Sequence, residues 1–276
     1  MGEKKCVLRA AAKVNLVLSV PEKCEDGYHE ISTVMQTVGI FDKLTIKTAK
    51  GITVTSDKSP CGEDNICYKA ALFFKDFGGA DIRIEKGIPM LSGLGGGSAD
   101  GAAVLLALNK LYGEPFGREE LIRMAMTLGS DVPFFIAGGT SLIEGKGDKI
   151  TSCADYSAHM VLIKHGKKQS TGQMYAELDE GGLADRREKV YSFCEALEKG
   201  KKNKFFNDFE SVFACRDIKN ALMICGAEDA CLSGSGPTVF GVFPDENSAR
   251  KCAEKLAMGY DEVYYCPTVK TAVIFE

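Results

Sequence analysis

Several things are scarce or missing in these 276 residues, and each absence removes a class of function. No apolar run approaches the roughly 18 residues needed to cross a bilayer, so a membrane span is not expected. A basic excess is missing too: 34 Lys and Arg against 38 Asp and Glu leave a net charge of −4. That balance disfavours a duplex nucleic-acid binder. Histidine is sparse, and His29, His159 and His165 form no metal-binding constellation. There are 11 cysteines, and the six-residue spacings of Cys61/Cys67 and Cys225/Cys231 fit neither a zinc site nor a disulfide framework. Their odd number, their scatter from Cys6 to Cys266 and the lack of any Cys-x-x-Cys speak against a disulfide framework or a zinc site. They read as small apolar residues in a reducing compartment. The opening Met1-Gly2-Glu3-Lys4-Lys5-Cys6 carries no apolar core of a secretory signal, so a cytoplasmic protein is expected.

What is present suits a soluble globular chain: 45% of residues are apolar and 26% charged. The length fits one large domain or two modest ones. Residues 7–20 alternate at period two, with Leu8, Ala10, Ala12, Val14, Leu16 and Leu18 on one strand face. Arg9, Lys13, Asn15 and Ser19 share the other, which sets a lysine and an amide side by side. Turn chemistry at Pro21–Tyr28 is followed by strand-like stretches at 31–39, 43–48 and 52–55. A helix over 66–77, capped by Asp64 or Asn65, and a strand over 81–85 come next. Helices are expected from about Ser98 to Gly113 and over Arg118–Leu128, with a turn at Ser130–Pro133. The second half predicts strands at 158–164, 238–243 and 269–275, and helices at 186–199, 205–213 and 246–257. Asp179–Glu188 reads as a mobile surface loop, and the lysines of 199–204 as a solvated helix end. The sum is an α+β fold in two lobes, residues 1–151 and 152–276.

The strongest chemical signal is Gly93, Gly95, Gly96 and Gly97, four glycines in five positions directly before a helix. Glycine lets the backbone approach a ligand, and a helix start offers unpaired N–H groups to an anion. The segment is not a Walker loop, because Ala99 stands where the Lys-Ser/Thr ending would continue. It is not a dinucleotide fingerprint either, since Ser98 occupies the third glycine position. A phosphate loop competes here with a flexible linker. Asp131 by itself is a turn or capping aspartate, and Lys13 a strand lysine. A phosphoryl transferase needs a carboxylate near the acceptor hydroxyl and a cation against developing charge, and these two would supply them if the fold joins them. A second turn, Leu232-Ser233-Gly234-Ser235-Gly236-Pro237-Thr238, sits between an expected helix end and a strand. It would wall the same site.

Together these segments resemble the GHMP small-molecule kinases, whose signature Pro-x-x-x-Gly-Leu-Gly is here Pro89-Met90-Leu91-Ser92-Gly93-Leu94-Gly95. Ala12-Lys13-Val14-Asn15-Leu16, Asp26-Gly27-Tyr28-His29-Glu30 and Gly95-Gly96-Gly97-Ser98-Ala99-Asp100 resemble one branch, which phosphorylates a cytidyl alcohol for isoprenoid synthesis. Leu128-Gly129-Ser130-Asp131-Val132-Pro133-Phe134, Asn207-Asp208-Phe209-Glu210 and Ser233-Gly234-Ser235-Gly236 follow in that branch's order. The resemblance implies a ribosomal-protein-S5-domain-2-like first lobe and a ferredoxin-like second lobe. It also implies ATP and Mg²⁺ and a 2-hydroxyl acceptor; independently of it, a monomer or weak homodimer without nucleic-acid or membrane partners is expected. On this footing Asp131 is the catalytic base and Lys13 the catalytic lysine. Pro89, Met90, Leu91, Ser92, Gly93, Leu94, Gly95, Gly96, Gly97, Ser98 and Ala99 hold the ATP phosphates, and Asn65 lies on the adenine side. Asn15, Tyr28, His29, Thr171 and Tyr175 take the cytidyl group, with Tyr28 and Tyr175 closing on the base. No direct metal ligand can be named, because Ser98 is the only hydroxyl at the helix start. Two other readings keep the loop: a GHMP kinase for another small alcohol, with Asp26–His29 a plain hairpin turn, and an inactive ATP-binding module.

Overall fold

The structure is a computed structural model that describes residues 3–166 and 169–276. Its first strand, β1 (Lys5–Ser19), runs antiparallel to β2 (Ile31–Ala49) along most of its length. The sequence predicts two strands where β2 is one. The gap it leaves at 40–42 ends in Asp42, which is no turn residue. Its side chain is fully buried and accepts hydrogen bonds from the Gly87 and Ile88 N–H groups at 2.7 and 2.8 Å. A buried carboxylate paired this way leaves the strand unbroken.

After β3 (Thr53–Ser56), helix α1 (Ile66–Leu72) is capped by Asn65, whose Oδ1 accepts from the Cys67 N–H at 2.8 Å. It stops short of the expected 77. Then come β4 (Gly79–Glu85), α2 (Gly96–Leu111), α3 (Arg118–Leu128), α4 (Val132–Ala137), β5 (Thr140–Gly145) and β6 (Lys149–Ser152). The turn expected at Ser130–Pro133 runs on into α4, with Pro133 in the first turn, where its missing N–H costs nothing. Helix α2 is apolar nearly all round, from Ala99 to Leu111, and is buried accordingly against α1, α3, α4 and the sheet.

The second half contains β7 (His159–Lys164), α5 (Thr171–Gly181), α6 (Arg187–Glu198), β8 (Phe206–Asn207), α7 (Arg216–Ile224), β9 (Asp229–Leu232), β10 (Thr238–Phe243), α8 (Glu246–Leu256), β11 (Glu262–Pro267) and β12 (Val273–Phe275). Two expectations fail here. The helix predicted over 205–213 is replaced by β8 and a single 3₁₀ turn at Asp208–Ser211. Asn207 accounts for this: its Oδ1 accepts from the Phe209 N–H at 3.0 Å, and its Nδ2 donates to the Leu232 and Gly234 carbonyls at 2.8 Å. Side-chain bonds of that kind compete with a helix. The loop expected at 179–188 fails at its two ends, because Asp179–Gly181 end α5 and Arg187 opens α6, and only 182–186 lie outside the helices.

Two sheets result. The larger has the order β12-β1-β2-β4-β3, with β5 on β2, β6 on β5, and β8 parallel to β1. The smaller has the order β11-β7-β10-β9. Residues 206–207 and 273–275 thus return from the second half to flank β1. Period-two alternation splits the smaller sheet between two cores. Met160, Leu162, Phe240 and Val242 join the core of the first lobe, while Val161, Ile163, Val239 and Phe243 pack beneath α7 and α8. A sheet covered on both faces needs continuous apolar strands, which is what 159–164 and 238–243 are. Among the described residues no helix is long and apolar enough to cross a membrane.

Candidate active site

Strand β1 carries Lys13 into the seam between the lobes. Its alternation places Lys13 and Asn15 opposite the core face, yet both are buried, at 3% and 1% exposure. The cover comes from both halves, through the glycine loop at Gly95 and the Ser233–Gly236 turn. A lysine held out of water needs partners. The Lys13 ammonium donates to Asn15 Oδ1 at 2.7 Å and lies 3.4 Å from Asp131 Oδ2. Asn15 in turn donates to Thr33 Oγ1 at 2.9 Å, and the Thr33 hydroxyl donates to the Val17 carbonyl at 2.6 Å. That chain of bonds sets the direction of the ammonium group.

Asp131 stands at the N-cap of α4, but its side chain makes no capping bond. Its carboxylate faces Lys13 instead, with 31% of the side chain exposed. The capping reading open to the sequence is therefore replaced by an ion pair between residues 118 positions apart, at the edge of a cavity.

The glycine segment is folded as a turn that becomes α2 without a break. Gly95 is the N-cap at φ +73°, and a β-carbon there would lie 2.8 Å from Phe135 Cζ and 3.1 Å from Lys13 Cγ. At Gly93, φ +81°, a β-carbon would lie 2.6 Å from the Ser233 carbonyl oxygen. The first close approach ties the loop to Lys13, and the second ties it to the Leu232–Thr238 turn. That turn links β9 to β10, so its upstream neighbour is a strand, not the expected helix end. Further ties are the Lys13 N–H to the Leu94 carbonyl at 3.0 Å, and the Thr238 N–H to the Ser92 carbonyl at 3.3 Å. Ser92, itself buried, donates to the Pro89 carbonyl at 2.6 Å. Leu94 is sunk in the core, whereas Leu91 is exposed and Met90 partly so. Gly97 has open space where a β-carbon would be. Gly96, Gly97 and Ser98 begin the helix, where backbone N–H groups lack intrahelical acceptors. The loop is tied down from below by these contacts and open above, an arrangement that can admit a ligand.

Two cavities meet here. One of about 690 Å³ is lined by Lys13, Asn65, the 89–98 loop, Asp131 and Ser235. Its neighbour, of about 790 Å³, is lined by Lys23, Tyr28, His29, Lys146 and Asp179. Gly129, Ser130, Thr171 and Tyr175 border both. Asn65 reaches the first cavity with both polar atoms engaged, Nδ2 donating to the Pro60 carbonyl at 2.6 Å. Thr171 stands 3.4 Å from the Ser235 hydroxyl.

In the second cavity the Asp26–His29 segment forms a hairpin, with Lys23 and His29 bridged through their backbones. The His29 ring stacks on Tyr175 with centroids 4.4 Å apart and 20° between planes. Tyr175 also meets Phe209 edge-on. Burial, with the Asp131 charge adding to it, pushes the Tyr175 hydroxyl up to about 12. Tyr28 points outward, 67% exposed, with the Lys146 ammonium 5.3 Å from its ring centre.

Two groups of residues escaped the sequence reading. One is Asp179, which contacts His29 Nε2 at 2.7 Å and Lys23 Nζ at 2.6 Å. Its signal was the spacing Thr171, Tyr175, Asp179, which puts all three on one helix face. The other is Lys86, which donates to Asp100 Oδ2 at 2.7 Å and to Asp42 beside the glycine loop. An aspartate early in an otherwise apolar helix was its signal. Among the described residues no group of three or more His, Cys, Asp or Glu side chains is arranged to hold a metal ion.

Comparison with known proteins places the chain among relatives. The family description "GHMP kinases N terminal domain" matches residues 65–139, and "GHMP kinases C terminal" matches residues 187–261. The 4-diphosphocytidyl-2-C-methyl-D-erythritol kinase of Caldanaerobacter subterraneus subsp. tengcongensis is 38% identical over 271 residues, covering 93% of this chain and 92% of that protein. Its counterpart in Clostridium novyi is 36% identical, covering 95% and 99%. A crystal structure of 4-(cytidine 5'-diphospho)-2C-methyl-D-erythritol kinase superposes with a TM-score of 0.81 at 31% identity, covering 97% of this chain and 99% of the other. The homoserine kinase of Cytophaga hutchinsonii, at 19% identity, 99% and 97% coverage and TM-score 0.69, shares the fold.

Proposed function

This chain belongs to the 4-diphosphocytidyl-2-C-methyl-D-erythritol kinases, ATP-dependent GHMP kinases of isoprenoid biosynthesis, and we propose that it phosphorylates the 2-hydroxyl of that cytidyl alcohol at the meeting of its two cavities. The observation that carries this reading is the Lys13–Asp131 pair at 3.4 Å, which lines the cavity of the glycine loop beside Gly129, Ser130, Thr171 and Tyr175, residues that also border the His29 cavity. Residues 1–151 act as the ATP-binding domain and 152–276 as the C-terminal domain, in a cytoplasmic enzyme.

Asp131 accepts the proton of the acceptor hydroxyl as that oxygen attacks phosphorus. Lys13, aimed by Asn15, offsets the negative charge that builds on the transferring group. Backbone N–H groups of Gly96, Gly97 and Ser98 hold the phosphates in line, while Asn65 borders the adenine side. Mg²⁺, when bound, would neutralise phosphate charge. With no cluster of ligating side chains among the described residues, the site suits an ion held mainly through phosphates and water. Tyr28, His29, Thr171 and Tyr175 receive the cytidyl group, and Asn15 belongs to the same side.

An assay of ADP release against a panel of alcohols tests this. Turnover is expected with the cytidyl alcohol and not with mevalonate, homoserine or sugars. Turnover only with another alcohol assigns the hairpin a purely structural role, and none at all leaves a nucleotide-binding module. In the same assay His29→Ala is expected to raise the cytidyl KM about 5- to 150-fold, the equivalent of a lost buried hydrogen-bonding partner at about 1–3 kcal/mol. The KM for ATP stays unchanged. Equal rises for both ligands would mean that folding, not recognition, was damaged.

A further inference from the structure

We propose that Asp179 is a positioning residue that decides which ring nitrogen of His29 carries the proton, and that this choice makes the site accept an amino-bearing pyrimidine over a carbonyl-bearing one. The inference rests on the cytidyl reading and deepens it.

The geometry is specific. Asp179 Oδ1 lies 2.7 Å from His29 Nε2, and Asp179 Oδ2 lies 2.6 Å from the Lys23 ammonium. An ionised carboxylate only accepts hydrogen bonds, so the Nε2 atom must bear hydrogen. The bonds from Lys23 and His29 hold the Asp179 carboxyl below the usual carboxylate range, which keeps it an acceptor. In neutral imidazole the other nitrogen then carries a lone pair. Among the described residues no protein group bonds Nδ1. The ring has little freedom to exchange the two nitrogens: it is stacked on Tyr175, its side chain is 7% exposed, and its backbone is bridged to Lys23.

A lone pair on His29 Nδ1 takes a hydrogen bond from a donor. Along the pairing edge of a pyrimidine, cytosine offers an exocyclic amino group where uracil offers a carbonyl oxygen. The carbonyl would face the lone pair acceptor to acceptor. A site with its polar atom fixed discriminates strongly, because the wrong ligand leaves buried groups unpaired. Asp179 lines the same cavity, but the role proposed for it is to set the state of the His29 ring. It acts through His29.

Lys23 sharpens the test. In Asp179→Asn the ammonium, which only donates, would keep the amide oxygen, turning the amide NH₂ toward His29. His29 Nε2 would then accept, and the ring hydrogen would move to Nδ1. The D179N enzyme is expected to lose roughly 10- to 100-fold in the ratio of kcat/KM for the cytidyl alcohol over its uridyl counterpart, with the KM for ATP unchanged. Adding Lys23→Met frees the amide to turn its oxygen to His29, so K23M/D179N is expected to recover most of that ratio. A merely structural role for Asp179 predicts no such recovery. Unfolded variants do not block the test, because the ¹⁵N shifts of the His29 ring in the wild-type protein report the protonated nitrogen directly. H29A supplies their assignment among three histidines. Hydrogen on Nε2 is expected, and hydrogen on Nδ1 overturns the proposal. So does an unchanged cytidyl-to-uridyl ratio in D179N while H29A still loses cytidyl affinity, a result that leaves the cytidyl reading standing. If H29A keeps its cytidyl KM, the cytidyl reading falls and this inference with it.

Discussion

Asp131→Asn is expected to lower turnover about 10²–10⁴-fold while ATP still binds with wild-type affinity. Asparagine copies the shape of aspartate but cannot take the proton of the acceptor hydroxyl. The substitution perturbs little else. Asp131 makes no capping bond to α4, and Lys13 keeps its 2.7 Å bond to Asn15 when the carboxylate is gone. Single-turnover kinetics measures the chemical step, and ATP titration by calorimetry measures binding. Near wild-type turnover would remove Asp131 from the role of base. A matching loss of ATP affinity would instead show that the Lys13–Asp131 pair shapes the nucleotide cavity.

The second large effect is on stability. Lys86→Met is expected to cost about 3–5 kcal/mol, because it leaves two buried carboxylates without their cation. The Lys86 side chain is 5% exposed, that of Asp100 4% and that of Asp42 0%. Asp42 retains its two backbone N–H donors, but Asp100 Oδ1 has no hydrogen-bond partner even in the intact protein. Burial, reinforced by the Asp42 charge and opposed by Lys86, raises the Asp100 carboxyl well above its ordinary value. A carboxyl raised in the folded state contributes fully below its unfolded pKa of about 3.9, and that contribution is lost as pH rises through the folded value. Removing Lys86 takes away the group that opposes the rise, so the penalty should be smaller at pH 5 than at pH 8. Urea denaturation at both values measures it. A loss below about 1 kcal/mol, or one independent of pH, would show that Asp100 is not held as a charged partner of Lys86.

How far the sequence reached depends on the range of the interaction involved. The core face of β1 was legible because alternation is local: Leu8, Ala10, Ala12, Val14 and Leu16 are all 0% exposed. Helix α3 was legible in full, from Arg118 to its stop at Gly129. The opposite face of β1 was read in its residues but not in its surroundings. Period two says which side chains share a face, not that a turn about 220 residues away will cover Lys13 and Asn15. Local propensity also misled at 205–213, where Asn207 is drawn off by the carbonyls of Leu232 and Gly234. At 179–188 the same limit cost the reading a functional residue. A polar, glycine-bearing stretch looked like a loop, and so Asp179 was not placed on the face shared by Thr171 and Tyr175.

By itself the sequence determined the α+β character, the glycine-rich start of α2 and the family resemblance, since each is written in neighbouring residues whose backbone geometry is set locally. Only the tertiary structure decided that Asp131 faces Lys13 rather than capping α4, that Asp179 meets His29, and that Lys86 lies between Asp42 and Asp100. Charges and lone pairs act over a few ångströms of space, whatever their separation along the chain, and the path of the backbone alone brings them that close.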